Sequence, residues 1–270
     1  MRQVGQMGPV GRVNQAGHLA LAVCLMATTV SLCAMTSRLS STLSSTNAPD
    51  LPGLPDPPGQ SEPKNRLFPP QDLGLIEPPD RDQWQPPDQI MDALHISDGA
   101  AVADVGAGGG WFTVQLARRV GPRGVVYAED IQPQMTELIR RRARRENLSN
   151  VKILLGTAND PKLPHGIDAV LIVDAYHEMA CAVGSSCQDP VPLLKNVERS
   201  LKPQGSLGIV DFNLGEGGPG PSPDERVDPQ AVIQAASAAG FRLDRRENLP
   251  PFQFQYLLVF GKASSSHVSQ

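Results

Sequence analysis

A glycine-rich turn follows a short apolar segment near the middle of the chain. The segment Val102–Val105 leads into the pattern Asp104-x-Gly106-x-Gly108-x-Gly110, and an amphipathic stretch begins directly after it. We interpret this as a strand, a tight turn and a helix, because glycine lets the backbone bend sharply and leaves room for a ligand. The free N–H groups at the start of that helix add partial positive charge. The pattern therefore predicts a ligand-binding turn.

An acidic residue ends the next predicted strand. The β-branched and aromatic run Val125–Ala128 is followed by Glu129 and Asp130. An acid at the end of a second strand, about 20 residues past such glycines, suits a bidentate hydrogen bond to the two hydroxyls of a ribose. Side chains alternate along a strand, so we expect Glu129 to point to the other face. The alternative for Asp130 is that it only caps the following helix.

The spacing of the glycines separates two classes of cofactor. A dinucleotide fingerprint needs its third glycine or alanine at position 111, where this chain has Trp111. The spacing D-x-G-x-G-x-G instead resembles motif I of the class I S-adenosylmethionine-dependent methyltransferases. The resemblance covers roughly residues 80–262 and implies a Rossmann-like fold and S-adenosylmethionine as the cofactor.

The same resemblance implies which residues surround that cofactor. The family places its ribose-binding acid just before a segment like Ile131-Gln132-Pro133, which favours Asp130 over Glu129. It places the glycine turn beside the methionine part, and the residues after the third strand beside the adenine. The implied cofactor-binding set is Asp104, Gly106, Ala107, Gly108, Gly110, Asp130, Ile131, Ala158, Asn159 and Asp174.

The adenine contact is the part of this set where the chain departs from the family pattern. Relatives often carry Gly-Asp-Ala after the third strand, whereas this chain has Gly156-Thr157-Ala158. We therefore assign the contact to the backbone of Ala158 and to Asn159. The alternative is that the segment forms an ordinary turn before Pro161.

A histidine follows the fourth predicted strand, in the segment Asp174-Ala175-Tyr176-His177-Glu178-Met179. This position resembles the Asn-x-Leu-His-His segment of small-molecule methyltransferases of the quinone-biosynthesis type. His177 is our candidate acid/base residue, because an unperturbed imidazole pKa near 6.5 suits proton transfer at neutral pH. Tyr176 is a second catalytic candidate. The alternative is that His177 only packs the loop, since many methyltransferases need alignment of the reacting atoms and no base.

Apolar runs and amphipathic stretches alternate along the rest of the chain. Continuous apolar runs such as 169–173 are typical of parallel strands with helices on both faces. We predict an α/β fold, a doubly wound, seven-stranded, mostly parallel sheet of the Rossmann-like methyltransferase type with an antiparallel C-terminal hairpin. The predicted strands are 101–105, 124–129, 151–155, 168–173, 205–212, 241–247 and 253–261, and the main helices are 110–120, 132–147, 190–202 and 229–239.

Two long loops are predicted to form the acceptor side of the site. They are Met179–Gln188 and the glycine- and proline-rich Leu214–Val227, and we expect acceptor specificity there and around Trp84, Trp111 and Tyr176.

A formal net charge of −4 is not that of a nucleic-acid-binding protein, and no Asn-Pro-Pro-Tyr-like motif follows the fourth strand. We predict a small-molecule acceptor and no nucleic-acid partner, with a protein acceptor as an alternative.

The N-terminal region has a different composition from the rest. Residues 1–36 are expected to be a signal-like segment or a membrane anchor, because a basic flank precedes the uncharged, mostly apolar residues 19–35. That favours export or membrane association through residues 19–35. A true start at Met26 or Met35 would leave the protein cytoplasmic instead.

The remaining boundaries follow from composition. Residues 37–80 are rich in Ser, Thr and Pro and are predicted to be a disordered linker. The methyltransferase domain is predicted to span residues 81–262, and residues 263–270 are predicted to be a disordered tail.

Cys181 and Cys187 are expected to form a disulfide if the domain is exported and to be free thiols otherwise. They are too few for a metal site, and we expect no metal.

Two other functions are consistent with parts of the sequence. An exported domain could be a cofactor-binding module without catalytic activity, because cofactor supply outside the cytosol is doubtful. A dinucleotide-dependent oxidoreductase is the other alternative, and Trp111 in place of the third glycine opposes it.

Overall fold

The computed structural model describes residues 68–180, 189–215, 217–250 and 254–264. Seven strands form one mixed sheet in the order β3-β2-β1-β4-β5-β7-β6. The strands are β1 (Ala101–Val105), β2 (Val125–Asp130), β3 (Val151–Leu155), β4 (Ile167–Val173), β5 (Leu201–Phe212), β6 (Phe241–Asn248) and β7 (Gln255–Lys262).

The first five strands run parallel, and the last pair reverses direction. Strand β7 lies between β5 and β6 and is antiparallel to both. The order of the strands reverses at β1, which pairs with β2 on one side and β4 on the other. This arrangement confirms the predicted doubly wound sheet with an antiparallel hairpin. Ligands in such sheets bind at the carboxyl ends of the strands near the reversal.

Helices cover both faces of the sheet. They are α1 (Leu73–Ile76), α2 (Arg81–Trp84), α3 (Pro87–Ala93), α4 (Trp111–Val120), α5 (Pro133–Arg145), α6 (Tyr176–Met179), α7 (Val191–Ser200) and α8 (Pro229–Ala238). One apolar cluster includes Ile90 of α3, Leu116 of α4 and Val126 of β2. A second, on the other face, includes Leu194 of α7 and Val232 of α8. Because both faces are covered, strand β4 is apolar along nearly its whole length.

The folded region begins earlier than the sequence predicts. We placed residues 37–80 in a disordered linker, but residues 70–76 form a short 3₁₀-helix and helix α1. The Nη1 atom of Arg142 donates to Oε1 of Glu77 at 3.0 Å, and the Nε2 atom of Gln132 donates to the carbonyl of Phe68 at 3.1 Å. Tertiary contacts with helix α5 and its N-terminus thus order a segment whose composition alone predicts disorder.

Several expectations fall outside the described residues. These are the apolar segment 19–35, both Cys181 and Cys187, and the tail from residue 265. Within the described part of the chain, no helix has the length and apolarity that a membrane crossing requires.

Candidate active site

The glycine turn after β1 adopts backbone angles that favour glycine. Gly106 has a φ of 72° and Gly108 a φ of 55°, values that side chains with a Cβ rarely adopt. A Cβ on Gly106 would lie 2.7 Å from Cβ of Ala175 and 2.9 Å from Cε of Met179. The turn is therefore in close contact with the segment after β4, and helix α4 begins at Trp111, directly after Gly110.

The carboxylate of Asp130 is held against this turn. Its Oδ2 accepts from the backbone N–H of Gly108 at 3.0 Å, and its Oδ1 accepts from the backbone N–H of Gln132 at 2.9 Å. A carboxylate has about four acceptor positions, so these two bonds fix its orientation and leave positions for further donors. Burial raises the pKa of Asp130, and the backbone hydrogen bonds oppose that shift. The neighbouring Ile131 is 38% exposed, which leaves an apolar surface beside the acid.

Glu129 is a second buried acid that the sequence analysis did not assign to the site. The residue is 2% exposed, and its Oε1 has no hydrogen-bond partner among the described residues. Burial, followed by the charge of Asp130, raises the pKa of Glu129 to about 8. A Cβ on Gly156 would lie 1.8 Å from Oε1, so only glycine fits beside it. An unpaired buried acceptor next to the glycine turn fits a ligand that brings hydroxyl or amine donors.

Asp104 makes a buried contact with the helix that follows the glycine turn, and its assignment to the cofactor-binding set stays a prediction. Its Oδ2 accepts from the Oγ1 hydroxyl of Thr113 in helix α4 at 2.6 Å. Burial raises the pKa of Asp104 to about 6, and the bond from Thr113 opposes the shift. The residue therefore joins β1 to the helix that follows the glycine turn.

The segment after β3 forms a tight turn. The backbone N–H of Thr157 donates to the carbonyl of Asp160 at 2.9 Å, and the reverse bond measures 3.1 Å. Ala158 and Asn159 are exposed at its tip, and the carbonyl of Asn159 accepts from Asn196 at 2.8 Å. This is the ordinary turn that the alternative interpretation required. The adenine contact of Ala158 and Asn159 stays a prediction.

Asp174, which the resemblance places beside the methionine part, lies at the end of β4. Its carboxylate accepts hydrogen bonds from Nη2 of Arg81 at 2.6 Å and from Nε2 of Gln85 at 2.9 Å. Gln255 of β7 also donates to it, at 2.5 Å. Burial raises the pKa of Asp174, and the charge of Arg81 opposes that shift. The N-terminal segment is thus tied to the same sheet edge as the glycine turn.

His177 pairs with an acid at the end of the neighbouring strand. Its Nδ1 lies 3.0 Å from Oδ1 of Asp211, and its backbone N–H donates to Oδ2 of Asp211 at 2.9 Å. Burial alone would lower the pKa of His177, but the charge and hydrogen bond of the fully buried Asp211 raise it to about 9. Because Nδ1 faces the carboxylate of Asp211, Nε2, which lies 3.8 Å from Oε1 of Glu178, is the ring atom that can exchange a proton with a substrate.

Tyr176 does not share this position. The side chain is 1% exposed and belongs to the apolar cluster between the sheet and helices α7 and α8. Burial raises the pKa of its hydroxyl above the ordinary value. This corrects our assignment of Tyr176 to the catalytic set and to the acceptor wall, because a hydroxyl in the core cannot reach an acceptor in this conformation.

Aromatic rings and an ordered loop flank His177. The Phe212 ring lies 6.3 Å from the His177 ring and 6.4 Å from the Trp84 ring, measured between centroids. Arg226 lies with its guanidinium 5.8 Å from the Phe212 ring. The same guanidinium donates to backbone carbonyls along the predicted acceptor loop, namely those of Asn213, Gly215, Gly217, Pro219 and Pro221. A single side chain thus orders the loop beside the histidine.

Comparisons with known proteins agree with this geometry. A family model described as a methyltransferase domain matches residues 96–238. A solved S-adenosylmethionine-dependent methyltransferase from Aquifex aeolicus superposes with a TM-score of 0.65 and 26% identity, covering 72% of this chain and 98% of that chain. The chain therefore belongs to this methyltransferase family, and its fold is that of the S-adenosylmethionine-dependent class I type.

Curated relatives have different acceptors. A protein-L-isoaspartate O-methyltransferase of Methanothrix thermoacetophila is 27% identical over 138 residues, which cover 45% of this chain and 64% of the relative. A demethylmenaquinone methyltransferase of a Geobacillus species is 28% identical over 130 residues, which cover 48% of this chain and 51% of the relative. The chain spans about half the length of the curated relatives it matches.

Proposed function

We propose that the protein transfers the methyl group of S-adenosylmethionine to a hydroxyl or amine of a small-molecule acceptor, with His177 as the general base. The observation that carries the proposal is the His177–Asp211 pair. Ala175 and Met179, on either side of His177 in the chain, are the residues that touch the glycine turn at Gly106. His177 therefore lies on the short helix α6, which borders the proposed cofactor position.

The residues around the turn fit the cofactor. Asp130 has acceptor positions for the two ribose hydroxyls, and Ile131 offers an apolar surface for a flat base. The unpaired Oε1 of Glu129 supplies one more acceptor. When bound, the cofactor supplies an activated methyl group on a positively charged sulfur.

His177 acts on the acceptor. With a pKa of about 9, its imidazole is protonated at neutral pH in the free protein. A positive charge beside the imidazole would lower this pKa, so a sulfonium held next to the glycine turn would favour the neutral form of His177, which can take a proton at Nε2. Asp211 holds the ring through Nδ1 and stabilises the imidazolium that forms. Alignment of the acceptor atom with the methyl group supplies the rest of the rate.

The acceptor class is inferred from the surroundings of the histidine. The Phe212 ring packs beside His177, and the Trp84 ring packs beside Phe212. The histidine therefore borders an apolar, aromatic part of the structure, which suits a flat or apolar molecule. The relative named demethylmenaquinone methyltransferase supports a small-molecule acceptor, and the relative named protein-L-isoaspartate O-methyltransferase favours a protein acceptor as the second candidate.

Formation of S-adenosylhomocysteine by the full-length chain tests the proposal. The chain is incubated with S-adenosylmethionine and fractionated small-molecule or protein extracts, and the product is quantified by mass spectrometry. We expect acceptor-dependent product with the small-molecule fractions, and a large loss in His177→Gln. Product only with protein fractions would favour the second candidate. Cofactor binding without transfer to any fraction would support the binding-module alternative.

A further inference from the structure

The outer surface of helix α5 carries a dense cluster of arginines. Five of the six residues 140–145 are arginine. Arg144 lies three residues after Arg141 and four after Arg140, so these three side chains share one face of the helix. The side chain of Arg141 is 69% exposed, and that of Arg145, the last residue of the helix, is 65% exposed. The positive charges therefore face solvent.

The acids beside this cluster are too few to neutralise it. Glu137 pairs with two arginines of α5, and Glu146 pairs with one arginine of α5 and one of α4, so each acid is shared. The side chain of Arg144 has no ion-pair partner in the part of the chain that the structure describes. The surface thus keeps an excess of positive charge. We call it the basic face, and it consists of Arg118, Arg140, Arg141, Arg144 and Arg145.

Charges at the opposite edge of the sheet are more nearly balanced. Helix α5 packs against β2 and β3, and β3 and β6 are the two edge strands. On β6, Arg242 pairs with Asp244 at 2.7 Å, and Arg245 pairs with Glu247 at 2.6 Å. These two arginines each have an acid of their own. The formal net charge of −4 is therefore unevenly distributed, with a positive excess on the side of α5.

The described chain begins beside the same helix. The carbonyl of Phe68 accepts from Nε2 of Gln132 at 3.1 Å, and Gln132 directly precedes helix α5. Residues 1–67 lie outside the described residues, and their sequence includes the uncharged, mostly apolar run 19–35. A bilayer that held this run would keep the nearby basic face at a high effective concentration at its surface.

The headgroups of anionic lipids are complementary to the basic face. A guanidinium binds phosphate oxygens through two parallel hydrogen bonds, and arginines near an anionic bilayer are attracted by its surface potential. Nucleic acids also carry phosphates, but sites for single strands add aromatic rings on which bases stack. Among the described residues, the exposed large apolar side chains are Ile131, Leu155 and Leu214, and none is aromatic. We propose that the basic face docks on a bilayer that contains anionic lipids.

Vesicle binding by the full-length chain tests this proposal. Flotation is compared between vesicles of phosphatidylcholine alone and vesicles of phosphatidylcholine mixed with phosphatidylglycerol. We expect Arg141→Gln/Arg144→Gln/Arg145→Gln to bind the mixed vesicles about 10- to 100-fold more weakly than wild type at low salt, because each arginine near an anionic surface strengthens binding about fivefold. Binding to phosphatidylcholine alone should change by less than about twofold. Salt at about 1 M should remove the difference, because it screens the charges within about 3 Å.

A matched control removes the same number of charges from the opposite edge of the sheet. Arg242→Gln/Arg245→Gln/Arg246→Gln on β6 should bind the mixed vesicles within about twofold of wild type. Equal weakening by both triple variants, or no weakening by the α5 variant, would overturn the proposal. Binding of an oligonucleotide that only the α5 variant loses, without a preference of wild type for mixed vesicles, would assign the basic face to nucleic acid and overturn the bilayer.

Site-resolved labelling applies even where the apolar run 19–35 dominates the total vesicle binding. Arginines of the wild-type chain are modified with phenylglyoxal, and the modified positions are quantified by mass spectrometry of peptides. We expect mixed vesicles to reduce the modification of Arg141 and Arg144 severalfold relative to phosphatidylcholine vesicles, and to leave that of Arg242 and Arg246 unchanged. Modification of Arg141 and Arg144 that is the same on both kinds of vesicle would overturn the proposal.

Discussion

His177 and Asp211 come from the ends of neighbouring parallel strands, and their side chains meet at 3.0 Å between Nδ1 and Oδ1. The register of β4 and β5 pairs Val173 with Val210, so the residues just beyond these positions share one edge of the sheet. His177 follows β4, and Asp211 lies near the end of β5. The two residues form a pair only because these strands are neighbours in the sheet, so neither sequence segment shows the pair alone.

This pair determines a pH dependence that can be measured without an acceptor. The chain has 5 histidines, and an NMR titration of their imidazoles should show one that titrates near pH 9, because Asp211 raises the pKa of His177 to about 9. That resonance should be missing in His177→Gln. In Asp211→Asn its midpoint should move down by 2 or more pH units, on the order expected for the loss of a paired charge. An unchanged midpoint in Asp211→Asn would show that the carboxylate does not control the imidazole.

Glu129 should reduce stability at alkaline pH. Its folded pKa of about 8 lies above the ordinary value of 4.5, so ionisation costs more in the folded chain, and stability falls as the pH rises between these values. Glu129→Gln removes this cost. We expect urea unfolding to show a variant more stable than wild type by about 5 kcal/mol at pH 9 and nearly equal to it at pH 4. A variant that is less stable at pH 9 would rule out an unpaired buried carboxylate.

Asp130 should contribute to cofactor affinity. Asp130→Ala should weaken S-adenosylhomocysteine binding by about 1.5–3 kcal/mol, the contribution of hydrogen bonds to a charged group. Asp130→Asn keeps an acceptor oxygen and should lose less. Calorimetry on both variants checks the order, and unchanged affinity in Asp130→Ala would remove this residue from the ribose site.

Arg226 should control the order of the acceptor loop. Arg226→Met removes donors to carbonyls along residues 213–221. Amide hydrogen exchange in this loop should then accelerate. The affinity for S-adenosylhomocysteine should remain within about twofold, because we propose that the loop faces the acceptor and not the cofactor. Exchange that accelerates equally across the whole domain would indicate general destabilisation instead of a local role.

Local sequence patterns predicted the elements well and the long-range contacts poorly. Continuous apolar runs placed β1 and β4 within one residue of their observed bounds, and the glycine spacing located the turn. Asp211 was missed, because an acid at the end of an apolar strand becomes meaningful only when the strand order is known. It could have been found by comparing the ends of predicted parallel strands, since His177 follows the previous one.

The N-terminal boundary was wrong for a related reason. Residues 68–80 have no periodic apolar pattern, and their order depends on contacts such as Glu77 with Arg142, 65 residues further on. Arg81 and Gln85 likewise reach Asp174 from a distant part of the chain. Tyr176 was misassigned because its neighbour His177 faces the site, and on a short helix adjacent residues point in different directions.

The most direct test of the account is a calorimetric titration of the full-length chain with S-adenosylhomocysteine and, separately, with NAD. The glycine turn, Asp130 and the absence of a third fingerprint glycine at Trp111 together predict saturable binding of S-adenosylhomocysteine and none of NAD. Binding of NAD, with no heat from S-adenosylhomocysteine at the same protein concentration, would contradict the proposed cofactor site and the methyl transfer that depends on it.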